Sequence, residues 1–279
     1  MISVQYELAD APFASFISSF YCFTYEGSAL AELERADRAQ FRFQLRGGGE
    51  YHFAAGHVLP TYPVTIIGPT SAPVTAIGHE PQTVFGWGMI PDGWANLMGA
   101  KAGDFVDQAF DARTIFGDWV MELRAHLIAA TNFAEQITTA KSALPEIYRR
   151  SGRAPFEFTA IVDAWLLSEG DPHVEALMAS TGLSTRQLER NTTRYYGMPP
   201  KKLARKYRAL RAAHALAHGD NLDDSALGLA FYDQSHLIRE VKQFTGLTPS
   251  QLRSGHSVLT QATMQGRHSL SANPLISES

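Results

Sequence analysis

The second half of the chain consists of short helical segments with clear start and stop signals, and this pattern constrains the fold more than any other feature. Ser184 can cap a helix that Gly197 ends, since serine favours the first position and glycine the position after the last turn. Asp233 and Gly246 delimit a later segment in the same way. Between them Pro199 opens a long helix, because proline is tolerated in a first turn. The pattern predicts an all-α C-terminal half.

Two parts of this half share one plan, a short helix followed by a tight turn and a second helix with polar residues near its start. They are residues 174–196 and 223–245, about fifty residues apart. This is the helix-turn-helix plan, in which the second helix enters the major groove of DNA. The helix between them has roughly twenty residues and spans about 30 Å, close to one turn of DNA. Two recognition helices can therefore enter successive major grooves.

The distribution of charge along the chain supports contact with phosphate. The formal net charge of −4 argues against a nucleic-acid partner when taken alone. Over residues 186–211, however, nine basic residues stand against one acidic residue, a local charge of +8. A basic stripe on helices is the electrostatic footprint of a surface that meets nucleic acid, although a solvated helix face is an alternative. The basic residues are Arg186, Arg190, Arg194, Lys201, Lys202, Arg205, Lys206, Arg208 and Arg211.

The first half has a different character, with short runs of β-branched and aromatic residues separated by clusters of glycine and proline. Runs such as 41–45, 64–67 and 83–87 predict strands, and the turn clusters predict a small β-barrel or sandwich. From residue 105 apolar residues recur at three- and four-residue spacing, which predicts two amphipathic helices. We therefore expect an α+β protein with two domains.

The expected domain limits follow from breaks in these patterns. Residues 151–155 interrupt the helical pattern and are the predicted boundary. The N-terminal domain is then residues 1–150 and the helical domain residues 155–256, in keeping with domains of about 100 to 200 residues. Residues 257–279 are rich in serine, glutamine, threonine and asparagine without periodicity, so we expect a disordered tail.

Two stretches of the helical half resemble the AraC/XylS family of transcription regulators. Residues 182–190 (GLSTRQLER) resemble the first recognition helix of that family. Residues 231–253 (FYDQSHLIREVKQFTGLTPSQLR) resemble its second recognition helix and closing signature. Residues 85–94 (FGWGMIPDGW) are similar to the sensory half found in one branch of the family. The resemblance implies a cupin-like N-terminal β-barrel with a helical dimerisation element and a C-terminal double helix-turn-helix domain.

The resemblance also implies what the chain does. It implies a cytoplasmic regulator that binds double-stranded DNA sequence-specifically as a homodimer, with an N-terminal domain that senses a small molecule, dimerises, or does both. An activator of this kind would also contact RNA polymerase. No enzymatic activity and no cofactor are expected.

The predicted DNA contacts lie on the outer faces of the two recognition helices. In a major groove arginine can grip guanine, and glutamate can accept a hydrogen bond from cytosine. The predicted base-reading residues are Arg186, Glu189 and Arg190 and, by resemblance, Gln234, Ser235 and Arg239. The predicted phosphate contacts are Ser184, Thr185, Lys201, Lys202, His236 and Lys242. An ion pair of Arg190 with Glu189 or Glu175 is an alternative for that side chain.

Four positions depart from the family pattern. Met178 stands where a small alanine is usual, Thr192 where phenylalanine is common, Ser225 where an aliphatic residue is expected and Ala230 where the turn has glycine. We expect looser packing at these positions. Ala230 would be strained if the turn required a positive φ, which only glycine adopts freely.

Aromatic residues of the first domain are candidates for an effector pocket, although aromatic side chains in a small barrel also form the core. The candidates are Tyr51, Phe53, Phe85, Trp87 and Trp94. Alternatively the domain is a dimerisation module without a ligand. In either case the predicted dimer contact is the helical pair over residues 105–149.

Metal chemistry has little support in the sequence, and we expect no metal site. His52 and His57, with His79 farther on, lack a clear third ligand. His214 and His218 are four residues apart, but the glutamate of the zinc-protease motif does not follow His214, so they are interpreted as the polar end of a helix.

Other classes of protein are also disfavoured. The single cysteine, Cys22, allows neither an intrachain disulfide nor a multi-cysteine cluster, and it is interpreted as a buried thiol. Neither a secretory signal nor an apolar run of about 18 residues occurs, which argues against secretion and membrane insertion. The alternative function is a cupin-like metal or small-molecule enzyme or binding protein whose DNA-binding domain is degenerate.

Overall fold

The computed structural model describes residues 1–149, 156–168, 170–222 and 225–270. Over residues 1–149 ten strands form two antiparallel sheets. The strands are β1 (Ile2–Leu8), β2 (Ile17–Tyr25), β3 (Leu30–Glu34), β4 (Gln40–Arg46), β5 (Gly49–Phe53), β6 (Val58–Pro60), β7 (Val64–Ile67), β8 (Val74–Gly78), β9 (Gln82–Met89) and β10 (Ala109–Asp111). The six-stranded sheet has the order β1-β2-β9-β4-β7-β10 and the four-stranded sheet β3-β8-β5-β6. The described strands thus form two open sheets, which fits the sandwich alternative of the sequence prediction, and they do not close into a barrel.

The six-stranded sheet has one apolar and one polar face, as β4 illustrates. Phe41 and Phe43 are fully buried in the main hydrophobic core. Arg42 and Gln44, which alternate with them, line a cavity between the two sheets. Successive side chains of a strand point to opposite faces, so the sequence of β4 directs its polar side chains into the interior of the domain.

Helices cover the apolar face of the six-stranded sheet. They are α1 (Pro91–Met98), α2 (Arg113–Phe116), α3 (Trp119–Ala129) and α4 (Phe133–Arg149). Leu123 and Leu127 of α3 and Leu144 of α4 belong to the same hydrophobic core as Trp87 of β9, and each is at most 4% exposed. The two amphipathic helices predicted after residue 105 are therefore confirmed.

The second half is helical throughout its described residues. The helices are α5 (Phe156–Leu166), α6 (Val174–Thr181), α7 (Thr185–Tyr196), α8 (Pro200–Ala217), α9 (Ala226–Leu229), α10 (Gln234–Thr245), α11 (Pro249–Ser254) and α12 (Val258–His268). Leu188 of α7 and Val241 of α10 lie in separate cores, and α8 contributes Tyr207 to the first and Leu216 to the second. None of the described helices is long and apolar enough to cross a membrane. The α+β fold with an all-α second domain is confirmed.

The predicted helix starts are confirmed by their hydrogen bonds. Ser184 Oγ accepts from the Gln187 backbone N–H at 3.4 Å, and Gln187 Oε1 accepts from the Ser184 N–H at 2.9 Å, which is a capping box. Asp233 Oδ1 accepts from the His236 N–H at 2.6 Å. Both predicted recognition helices thus begin where the sequence indicates.

The prediction of a disordered tail is wrong where the tail is described, because α12 is a helix. Ser257 caps it by accepting from the Thr260 N–H at 3.1 Å. Leu259 and Met264 are buried, and the helix packs on β1, β3 and α8. Polar composition favours disorder only when too little apolar surface can be buried, and here a few apolar residues on one face suffice. Residues 271–279 and the predicted boundary at 151–155 lie outside the described residues.

The departures from the family pattern have local explanations. Ala230 has φ −71°, so the turn does not require a positive φ and the backbone of Ala230 is not strained. Thr192 is fully buried and its hydroxyl donates to the Leu188 carbonyl at 2.9 Å. Ser225 caps α9 by accepting from the Gly228 N–H at 3.0 Å. Met178 packs against the first of the two cores in the helical half.

Docking of α12 is testable through Met264, which is 2% exposed. We expect Met264→Ala to lower the free energy of unfolding in urea by about 2–5 kcal/mol, because it removes buried methylene groups and leaves a cavity. Gln265→Ala, at an exposed neighbour on the same helix, is the matched control and should change little. Equal stability of the two variants would mean that α12 is not docked.

Candidate nucleic-acid interface and internal cavity

The first predicted recognition helix, α7, presents its predicted base-reading side chains to solvent. Leu188 and Thr192 are fully buried and anchor the helix from one side. Arg186, Glu189 and Arg190 are exposed on the other side. Arg186 and Glu189 lie on the same helix face because residues three apart are neighbours on a helix. Ser184, Thr185 and Lys201 are also exposed, and Lys202 is half-buried.

The second predicted recognition helix, α10, has the same organisation. Val241 and Phe244 are fully buried. The four predicted DNA contacts Gln234, Ser235, Arg239 and Lys242 are exposed.

His236, a predicted phosphate contact, has partners within its own unit. Its Nδ1 accepts from the Tyr232 N–H at 3.2 Å, and its Nε2 lies 3.3 Å from Glu240 Oε1. Its ring packs edge-on against Phe231. His236 therefore stabilises the turn before α10, a function that the resemblance did not indicate.

Part of the basic stripe predicted over residues 186–211 is buried on α8. The nine basic side chains therefore do not all belong to the protein surface, which corrects the sequence interpretation. Arg205 Nε and Arg208 Nη2 donate to the two oxygens of Glu240, both at 2.5 Å. Arg208 Nη1 also donates to Asp171 at 2.6 Å. Arg208 and Glu240 are buried. Burial opposes ionisation of Glu240, but Arg205 and Arg208 hold its pKa below the usual value. These charges join α8 to α10.

Lys206, also from the basic stripe, is buried against the N-terminal domain. Its Nζ donates to the carbonyl oxygens of Asp37 at 2.6 Å and Thr70 at 2.9 Å. Burial lowers the pKa of Lys206 to about 7. Arg267 of α12 donates to the carboxylate of Asp37, with Nη1 at 3.2 Å from Oδ1. The loop between β3 and β4 is thus held by two elements of the helical domain.

The N-terminal domain also contacts α7 directly. Its 3-10 turn Ala102–Phe105 packs on α7, and a Cβ added at Gly103 would lie 2.6 Å from Thr193 Cγ2. Lys101 and Asp104 of this segment share a surface groove with Arg186 and Arg190. The domain border therefore runs beside the predicted base-reading residues.

A cavity of about 90 Å³ lies between the two sheets and is bordered by α12. Its most notable side chain is Arg42, whose Nη1 and Nη2 donate to Glu34 at 2.9 and 2.6 Å. Arg42 Nε donates to the Tyr21 hydroxyl at 3.0 Å, and Nη1 to the Tyr51 hydroxyl at 3.3 Å. Burial raises the pKa of both tyrosines. The cavity is therefore polar and internally hydrogen-bonded.

The structure separates the residues predicted to line an effector pocket. Tyr51 lines the cavity. Phe53 lies in a small cluster beside it. Phe85, Trp87 and Trp94 are at most 1% exposed in the core between sheet and helices. Sequence reasoning missed Arg42 and Glu34, for which the available signal was a charged residue between two phenylalanines of a strand.

The remaining candidates for chemistry in the N-terminal domain are dispersed. His52 Nε2 lies 2.9 Å from Glu50, and His57 Nε2 lies 2.7 Å from the Asp107 carbonyl oxygen. Within the described residues, neither histidine is part of a three-residue cluster suited to a metal ion. Burial raises the pKa of Cys22 to about 11, which disfavours the nucleophilic thiolate.

Part of the helical half matches a known protein family, and several solved structures are similar to the chain. Residues 177–255 match a family described as a helix-turn-helix domain. A ligand-free alanine variant of ToxT from Vibrio cholerae strain SCE256 is 11% identical, covers 84% of this chain and 97% of its own, and has a TM-score of 0.48. ToxT from Vibrio cholerae O395 is 8% identical to this chain in sequence. The match covers 94% of this chain and 98% of the ToxT chain, with a TM-score of 0.46.

The structure of the AraC-like transcriptional activator CuxR is 13% identical, covers 79% of this chain and 89% of its own, and has a TM-score of 0.28. Among curated proteins none matches this sequence.

Asp92 gives the contact between the domains a dependence on pH. Thr159 of α5 donates to both carboxylate oxygens of Asp92 at 2.8 Å. Burial raises the pKa of Asp92 to about 6, above its ordinary value of 3.8. The folded chain therefore binds this proton more tightly than the unfolded chain, and the associated stability is lost as the pH rises from about 4 to above 6.

We therefore expect Asp92→Asn, which mimics the neutral form, to increase the free energy of unfolding at pH 7.5 by about 1 kcal/mol after allowance for solvent screening. The gain should disappear near pH 4. Urea denaturation across this pH range measures it, with the exposed Asp104→Asn as control. A variant that is less stable than the wild type at pH 7.5 contradicts the assignment.

Proposed function

We propose that the chain is a DNA-binding transcription regulator in which α7 and α10, both within the region that matches a helix-turn-helix domain, read successive major grooves. Two capped helices with exposed polar faces pack on one long helix between them in the chain, and this arrangement carries the proposal. That element, α8, has 18 residues and spans about 27 Å. This length approaches the roughly 34 Å of one DNA turn.

The proposed contacts divide into two classes. Arg186, Glu189, Arg190, Gln234, Ser235 and Arg239 read bases, and Ser184, Thr185, Lys201, Lys202 and Lys242 contact phosphates. In support of this division, the base-reading groups lie opposite the buried sides of their helices. His236 contributes by fixing the turn, since its ring nitrogens already have partners within its own unit.

A substitution at Arg239 tests the proposal directly. Binding of the full chain to DNA upstream of its own gene is measured by fluorescence anisotropy at several salt concentrations. We expect Arg239→Ala to weaken specific binding by about 1–3 kcal/mol while leaving binding to unrelated DNA almost unchanged. Lys242→Ala should weaken both and reduce the salt slope by about 1. Arg46→Ala, in the N-terminal domain, is the charge-matched control. An Arg239→Ala variant with unchanged preference contradicts the proposal.

We further propose that the cavity around Arg42 receives a small polar effector. In support of this, Arg42, Glu34 and the hydroxyls of Tyr21 and Tyr51 offer both hydrogen-bond donors and acceptors at the cavity. An effector of this kind forms hydrogen bonds to Arg42 and Glu34 in place of some of those that the two side chains make to each other. Since α12 borders the cavity, occupancy can alter how α12 packs.

The cavity can be blocked without removing the ion pair. Ala76 lines it from β8, and Ala76→Leu is expected to fill part of its volume. Small polar metabolites are screened for an increase in the melting temperature of the wild type. The increase should vanish in Ala76→Leu and persist in Ala55→Leu, at an exposed position in the turn after β5. An equal increase in both variants places the effector elsewhere.

The outer side of α3 is the proposed homodimer contact. Ile128 is 48% exposed there, beside the exposed Ala125 and Ala129. The molecular mass of the chain in solution decides between a dimer and a monomer.

A further inference from the structure

Three histidine side chains from two helices meet where α8 ends. His214 lies in the last turn of α8, His218 is its C-terminal cap, and His268 is the last residue of α12. The ring centroid of His218 lies 4.3 Å from those of His214 and His268, and the other two centroids are 5.1 Å apart. One ring nitrogen from each residue lies within 4.8 Å of the other two. The cluster joins two segments that are about fifty residues apart in the chain.

Two of the three histidine rings have features that suit a metal ligand. His218 Nδ1 lies 2.8 Å from the His214 carbonyl oxygen, and such a bond fixes the ring and leaves Nε2 for a metal. His214 Nε2 is buried, and no hydrogen-bond partner for it exists among the described residues. A buried ring nitrogen without a partner costs free energy. A metal ion bound to that nitrogen would remove this cost.

The positive charge of Arg267, next to His268 in sequence, is balanced by its contact with Asp37.

We propose that His214, His218 and His268 bind one divalent transition-metal ion, with Zn²⁺ as the best-fitting ion. Two histidines four residues apart on a helix and a third from another segment form a common zinc ligand set. Zinc–nitrogen bonds of about 2.0–2.1 Å in a tetrahedron bring the nitrogens to about 3.4 Å from one another. Rotations of the side chains by small angles close the difference. His218 and His268 are exposed, so water can take the fourth position.

The site would connect the DNA-binding half to the cavity. α12 contacts the four-stranded sheet, with Thr260 Oγ1 donating to the Leu33 carbonyl at 3.1 Å and Ser257 donating to Glu32 at 3.0 Å. The same helix borders the cavity. A metal bound between His268 and α8 therefore fixes α12 to the helix that joins the two recognition helices. This role is additional to DNA binding and does not depend on an effector.

The test uses the untagged full-length chain, freed of metal with EDTA and desalted. Zn²⁺ is titrated by calorimetry, and Co²⁺ by its visible absorption, which reports tetrahedral coordination. We expect one ion per chain, and an affinity at least about 100-fold lower in His268→Ala and in His218→Ala. Removing a residue that only hydrogen-bonds a ligand already lowers metal affinity about 10- to 100-fold, and removing the ligand itself costs more. His256→Ala, at an exposed histidine of the same region, is the control.

A second readout separates the site from a folding defect. In EDTA the His268→Ala and His268→Gln variants should melt like the wild type, because this side chain is exposed. Added Zn²⁺ should raise the melting temperature of the wild type and of His256→Ala but of neither His268 variant. No binding by the wild type, or equal binding by the His268 and His256 variants, overturns the proposal.

Discussion

The ion-pair group centred on Glu240 is the interaction on which the geometry of the helical half depends. Glu240 belongs to the predicted recognition helix α10, and its two oxygens accept from Arg205 and Arg208 of α8. Both Glu240 and Arg208 are buried, so removing one partner would leave a charge without compensation, at a cost of about 3–5 kcal/mol. Buried ion pairs contribute less to net stability than to fixing one arrangement. Here they fix the angle between α10 and α8.

A second polar group, around Asp37, relates the two halves of the chain. The buried Lys206 comes from α8 and Arg267 from α12, and both donate to Asp37 in the loop between β3 and β4. The strand β4 that follows this loop carries Arg42 into the cavity. A change in the cavity therefore has a short path of packed, hydrogen-bonded elements to α8, the helix that packs on both α7 and α10. The histidine cluster lies at the C-terminal end of α8, where the last residue of α12 meets it.

Local sequence signals predicted the helical half well and the interior of the first half poorly. Caps at Ser184 and Asp233 are decided by neighbouring residues, so the starts of α7 and α10 could be read from the sequence. The partners of Lys206 are carbonyls more than a hundred residues away. A basic residue of this kind looks like a surface charge until the tertiary contact is known. The same limit applies to His268, whose approach to His214 depends on the docking of α12.

Hydroxyl-radical footprinting of the full chain on its operator tests most directly whether α7 and α10 are spaced to read successive major grooves. If α8 holds the two helices in successive major grooves, each bound chain protects two segments about 10 base pairs apart on one face of the DNA. Protection of a single segment, or of segments on opposite faces, would contradict this account and would mean that only one of the two helices reads DNA.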